Sequence, residues 1–262
     1  MRTFPLRLRH TLFLSLSVLV ALPTATAQPT EEPVVDPEPA PTVTVDAGVT
    51  IASRFIYRGI NLGEAPQIQP RLSLNAGDFQ VSLWGSHPIA QPSDESIESP
   101  RDANYREVLF WALYNIDVGV GTLTPYVQNH YNPNVGDLFD FDRGGEGAHF
   151  LQAQLMFTGD ERLPIDALIG WVFYNDPGDS IYLEGGYRFS ASGLDLRVFA
   201  GGVPGESPFN GVAKDEPTLT NLGIAASRTL EVSDALSLPV GVSFIFNPHT
   251  EDAFAVFSIS LF

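Results

Sequence analysis

From Val43 onward the chain divides into twelve segments of similar length in which apolar and polar side chains alternate. They run approximately over 43–56, 66–75, 78–87, 104–115, 118–131, 148–158, 164–175, 179–189, 194–203, 217–229, 235–246 and 252–262. A tilted strand needs roughly 9–11 residues to cross a bilayer, so this length constrains the fold strongly. Period-two alternation assigns each residue to one face of a sheet. Phe79, Val81 and Leu83 oppose Gln80, Ser82 and Ser86, while Ile68, Leu72 and Leu74 oppose Gln67, Gln69, Arg71 and Ser73. Farther on, Ile181, Leu183, Tyr187 and Phe189 oppose Glu184 and Arg188, and Leu194, Leu196 and Val198 oppose Asp195 and Arg197. A soluble sandwich also alternates, so faces alone do not separate it from a barrel.

The connections separate the two. Tight links at Ala76-Gly77, Ile116-Asp117, Gly159 to Leu163, Ser190 to Gly193 and Leu230 to Asp234 alternate with links at 57–65, 88–103, 132–147, 176–178, 204–216 and 247–251. Short turns at one end and longer loops at the other are the layout of an outer-membrane barrel, whose even strand number places both termini in the periplasm. Aromatic residues fit two interfacial girdles on outward faces. Phe55, Tyr57, Phe173, Phe244, Phe246 and Phe254 fall near the external end, and Phe79, Phe157, Tyr187, Phe189 and Phe262 near the periplasmic end.

The N-terminus supplies the route. Arg2, Arg7 and Arg9 precede an apolar stretch from Leu12 to Leu22, and Ala25-Thr26-Ala27 forms a small-x-small site, so residues 1–27 read as a cleaved signal peptide. The apolar stretch is shorter than the roughly 20 residues of a permanent anchor. Residues 28–42, rich in proline and carboxylates, read as a flexible periplasmic leader. Residues 43–262 then form the barrel. No apolar run of about 18 residues follows the signal, and a spanning chain without one must be a closed barrel to satisfy its backbone in lipid. The expected fold is therefore all-β, a single closed antiparallel transmembrane barrel of twelve strands in the outer membrane.

Charge and composition narrow the chemistry. The chain carries 31 acidic residues against 14 Lys and Arg, a formal charge of −17, which opposes nucleic-acid binding. It contains no cysteine, so neither disulfides nor thiolate metal sites are expected. Asp94, Glu95, Glu98 and Asp102 in one loop, and Asp137, Asp140, Asp142 and Glu146 in another, could offer oxygen ligands to a hard cation. Their spacing does not match an EF-hand, however, and a solvated anionic rim is the preferred reading. His87, His130, His149 and His249 lie near strand ends or loops, and no G-x-S-x-G or H-E-x-x-H occurs. No enzymatic activity, cofactor or metal is expected; a lipid-modifying enzyme is the remotest alternative.

Arg54, Arg58, Arg71, Asp166, Glu184, Arg188, Asp195 and Arg197 project inward on this register and are the candidate lining of a pore. Closing the loops at 190–193 and 176–178 pairs Arg188 with Asp195 and Asp166 with Arg188, so Arg188 is expected between two aspartates. Opposed charges of this kind can orient polar solutes, and they can equally close a narrow lumen by pairing with each other.

Several runs also resemble the TorF-like porin family. These are Ser53-Arg54-Phe55-Ile56-Tyr57-Arg58-Gly59, Leu83-Trp84-Gly85-Ser86, the block VGVGTLTPYVQNHYNP, the strand YLEGGYRF and the terminal SISLF. Together they span most of residues 45–262. The sequence departs from the family where Glu107 is followed by Leu109 and Trp111 instead of an acidic-apolar alternation. The resemblance implies an outer-membrane barrel acting as a passive pore for small hydrophilic solutes. A non-conducting structural or adhesion barrel is the alternative. Expected partners are outer-membrane lipid and lipopolysaccharide, and the barrel assembly machinery through the C-terminal strand ending at Phe262.

Overall fold

The computed structural model describes residues 42–89, 105–233 and 236–261. The signal peptide, nearly all of the leader, the loop with Asp94, Glu95, Glu98 and Asp102, and Phe262 lie outside the described residues. In chain order the elements are β1 (Val43–Ala52), β2 (Phe55–Tyr57), β3 (Ile60–Gly63), β4 (Gln67–Ala76) and β5 (Phe79–Pro88). Then come β6 (Glu107–Tyr114), β7 (Ile116–Asp117), β8 (Gly121–Tyr131), β9 (His149–Gly159) and β10 (Ile165–Tyr174). They are followed by β11 (Ile181–Ala191), β12 (Leu194–Val203), a 3-10 turn at Pro208–Asn210, β13 (Thr218–Ser233), β14 (Leu236–Asn247) and β15 (Asp252–Leu261).

All but β2 and β3 form one antiparallel sheet, in which β6 pairs with β5 on one side and β8 on the other. The short β7 continues β6 along β8, so among the described residues the sheet is a closed barrel of twelve strands. It closes where β1 meets β15, in a seam of four residue pairs from Val49↔Leu261 to Ala52↔Ser258. Among the described residues no helix is long and apolar enough to cross a membrane.

The barrel wall is apolar outside and polar within, the reverse of a soluble core. Leu72, Leu83, Phe110, Val127, Ile169 and Leu183 are exposed on the outer face. The buried side chains of the inner face include Gln67, Ser73, Ser82, Gln128, Gln152 and Gln154. Closure leaves few strand edges, so backbone groups pair within the sheet throughout its span. In β15, Phe257 and Ile259 face outward, while Ser260 faces inward and bonds Thr50 (3.0 Å).

Phe173, Phe244 and Phe246 stand outward near the loop end, with Phe79, Tyr187 and Phe189 outward near the turn end. Three expected girdle residues are elsewhere. Phe55 is buried against Trp84 and Tyr105. Tyr57 packs against His130 and Phe209 in the interior. Phe254 shares the inner parity of Ser258 and lies under Arg54. For Phe55 and Tyr57 the physical reason is that the first strand ends at Ala52 and the following residues leave the wall; Phe254 stays in the wall, on the face opposite Phe257.

Two registers also differ from expectation, each by an even number of residues. The turn between β11 and β12 is the two-residue Ser192-Gly193, both with positive φ (54° and 74°), a geometry suited to a tight hairpin. Ala191 therefore pairs with Leu194, and Arg188 opposes Arg197 instead of Asp195. Between β10 and β11 the connecting turn places both Asn175 and Asp179 at positive φ, and Asp166 pairs with Gly186 instead of Arg188. Even slips preserve which face each residue occupies.

Candidate functional site

The interior is shaped by a hairpin that does not belong to the wall. After Ala52 the chain turns inward, β2 and β3 pair with each other, and Arg58-Gly59 form the tip with φ of 52° and 83°. A Cβ on Gly59 would lie 1.8 Å from the carbonyl oxygen of Thr220, so only glycine fits this approach. The Asn247 side-chain amide donates to the Gly59 carbonyl (3.1 Å). The hairpin thus leaves the wall between β1 and β4 and reaches β13 and β14 at its tip.

Arg58 extends this crossing. Its guanidinium donates to Gln154 Oε1 (2.9 Å), makes a longer contact with Gln152 Oε1 (3.4 Å), and stacks over the rings of Tyr57 and Tyr182. Gln152 and Gln154 belong to β9 and Tyr182 to β11, so one side chain ties the hairpin to the far wall. The open space beside Gly170 of β10 accommodates both Gln152 Nε2 and an Arg58 nitrogen. Arg58 was expected to project inward from the link 57–65; it stands at the tip of a hairpin inside the barrel.

A second segment covers the same space. The turn Pro208–Asn210 brings Phe209 against His130 (5.2 Å), Phe150 (5.4 Å) and Tyr57 (6.3 Å). Beneath it, Glu107 Oε1 and His130 Nδ1 lie 2.8 Å apart, both buried. Glu107 therefore bonds a histidine on the neighbouring strand, while Leu109 and Trp111 continue its inner parity as an apolar stripe. Nothing in period-two alternation marks His130 or Tyr182 as network residues; an aromatic on the polar parity was the available signal.

Toward the turn end the charged side chains converge. Arg197 Nε donates to Asp166 (3.0 and 3.1 Å), and its Nη2 reaches both Asp166 and Glu184, the latter at 2.8 Å. The Tyr182 hydroxyl (2.6 Å) and the Asn221 amide (2.8 Å) both donate to the other Glu184 oxygen. Arg197, not Arg188, is the residue held between two carboxylates. Arg188 lies 3.9 Å from Asp166 and donates to the Gly159 carbonyl. Asp195 accepts from Ser190 (3.0 Å).

Arg188, Ser190, Asp195 and Arg197 line a cavity of about 920 Å³ at the turn end. Arg71 pairs with Asp46 at 2.6 Å, their side chains 46% and 53% exposed. Arg54 lies over Phe254. The inner wall is thus wet and charged at its turn end, and filled by the hairpin and Phe209 at its loop end.

A histidine–amide pair occurs on the outer parity. His149 Nδ1 lies 3.0 Å from Asn129 Nδ2, on neighbouring strands, as a barrel hydrolase would require. Its Nε2, however, donates to the Leu138 carbonyl (3.0 Å), which occupies the position a nucleophilic hydroxyl would need. The pair anchors a loop. Among the described residues no group of metal-ligating side chains gathers.

No model of a known protein family matches the chain, and no curated protein matches it in sequence. Among solved structures it is similar to OprB of Pseudomonas putida in its high-pH structure, at 10% identity and a TM-score of 0.31. The similarity covers 75% of this chain and 58% of the length of OprB.

Proposed function

We propose that the protein is a porin-like barrel of the outer membrane, of the TorF-like kind, and a passive pore for small hydrophilic solutes. The observation that carries this reading is the inverted wall: apolar side chains exposed outside, glutamines, serines and paired charges inside. Only a lipid surround makes such a surface favourable, because in water an apolar patch of this extent drives association. On this reading both termini are periplasmic, the loop end is external, and the terminal strand is the contact for the assembly machinery.

The turn-end vestibule supports aqueous access, and the inward hairpin sets the bore. A solute passing the barrel must pass Arg58, Tyr57 and Phe209. The number of anchors on that hairpin favours a second reading, a barrel that stays shut and serves the envelope structurally.

Conductance decides between them. Purified protein should shift between boiled and unboiled lanes on a detergent gel and fractionate with the outer membrane. Recovery from the soluble periplasm would overturn the barrel-in-membrane reading. In planar bilayers small unitary steps are expected, increasing in Arg58→Ala; a folded barrel silent in both forms would establish the structural reading instead.

A further inference from the structure

The loop 132–148 is built as a rigid object but presents apolar side chains outward. Its base is closed by Asn132 N donating to Ala148 O (2.9 Å). His149 is sandwiched between Tyr131 (4.7 Å) and Phe141 (4.0 Å), with both ring nitrogens engaged. Asn175 donates to the carbonyls of Gly147 (2.8 Å) and His149 (3.0 Å) and accepts from Gly145 N (2.8 Å). Tyr131 and His149 share the strand parity of Val127 and Leu155, which face outward. The loop is therefore folded down over the outer wall, away from the lumen.

Held in this way, Phe139 is 83% exposed, and Val135, Leu138 and Phe141 are exposed beside it. The neighbouring carboxylates are partly turned inward on the loop itself: Asp137 Oδ1 accepts from Phe139 N (2.8 Å) and Asp140 Oδ1 from Asp142 N (3.3 Å). The patch lies over β8 to β10, the strands whose outer face carries Trp171 and Phe173 near the same end. An ordered loop that displays aromatics on a barrel's outer parity, continuous with the aromatic end of the wall, fits the headgroup–acyl boundary of a bilayer.

We propose that loop 132–148 is a membrane-interface anchor, with Phe139 and Leu138 seated in the outer-leaflet lipid. The proposal rests on the bilayer-spanning reading of the wall and extends it to a segment whose acidic composition suggested a solvated rim. The lipid contact would hold the strand β8–β9 connection clear of the lumen mouth.

The chain contains no cysteine, so single-cysteine variants of the full-length protein can be spin-labelled cleanly. Phe139→Cys reports the loop, Ile169→Cys the outer wall, and Lys214→Cys an exposed loop facing water. All three side chains are exposed, so labelling should leave the fold intact. In phosphatidylcholine vesicles, power saturation compares collision with oxygen, which partitions into lipid, and with a water-soluble nickel chelate. The expected result is oxygen dominance at 139 and 169, shallower at 139, with nickel dominance at 214. Nickel dominance at 139 with oxygen dominance at 169 overturns the anchor and leaves the barrel reading standing. Nickel dominance at both defeats the barrel reading itself. Shielding from both reagents at 139, with dipolar broadening on full labelling, shows a second copy covering the patch and also overturns the anchor.

Discussion

Arg188 and Arg197 face each other directly across β11 and β12 on the inner wall. Like charges opposed in a sheet are destabilising, and the interior resolves this by assigning the local carboxylates unequally. Arg197 takes Asp166 and Glu184, while Arg188 turns to the Gly159 carbonyl and the wet vestibule.

That asymmetry sets the first prediction. Arg197→Ala should lower stability by about 1–3 kcal/mol, below the cost of breaking a fully buried pair because the site is partly wet. Arg188→Ala should cost less, or relieve repulsion. Urea unfolding of the folded barrel in detergent, followed by gel mobility, gives the comparison; equal losses would contradict the assignment.

Gly59→Ala addresses the hairpin separately from the wall. The new methyl would meet the Thr220 carbonyl, and the positive φ at this residue also disfavours alanine. The hairpin should leave its seat while the twelve-stranded wall persists. A retained heat-dependent gel shift with larger or noisier conductance steps is the expected outcome.

Asn175→Ala should loosen loop 132–148 without opening the barrel. The side chain satisfies the Gly147 carbonyl and the Gly145 N–H of that loop and the His149 carbonyl at its base, from a positive-φ position, and removing a buried partner costs about 1–3 kcal/mol locally. Amide exchange should rise across 139–148 and stay unchanged in β12 to β14.

The turn between β9 and β10 carries a pH effect of defined sign. Hydrogen bonds from Arg162 hold the Asp160 carboxyl below the usual carboxylate range. A depressed folded value contributes stability that is complete above the ordinary carboxylate range and lost as pH falls through the lower folded value. Arg162→Ala should therefore raise the Asp160 titration midpoint, measured by carboxyl NMR, toward the ordinary value.

Strand number and most faces were legible because most wall strands pair a polar interior with an apolar exterior. The alternation Gln80-Val81-Ser82-Leu83 has only one reading in such a wall. Register was less legible. A slip of two residues at Ser192-Gly193 leaves every face unchanged, so composition does not penalise the wrong partner for Arg188. The inward hairpin was hidden for a related reason. Phe55 and Tyr57 continue the alternation of β1, and only the turn-forming Arg58-Gly59 marked a departure. The inner apolar stripe of Leu109 and Trp111 lies in a run, Val108 to Tyr114, where both parities are apolar, so alternation marks a departure there but does not assign the faces.

The seam between β1 and β15 has a consequence for the order of assembly. Residues 49–52 meet residues 258–261 only when the last strand is in hand, so any shorter folded product retains two open edges. Such contacts, nearly a full chain length apart, are the slowest to form. The hairpin depends on them too: its partners at Gln154, Tyr182, Thr220 and Asn247 come from four strands spread around the wall. It therefore lends nothing to a half-built sheet. The element that narrows the lumen gains its full set of partners only once β14 is in place, and a chain stalled before that would expose its wall edges and its unseated aromatics together.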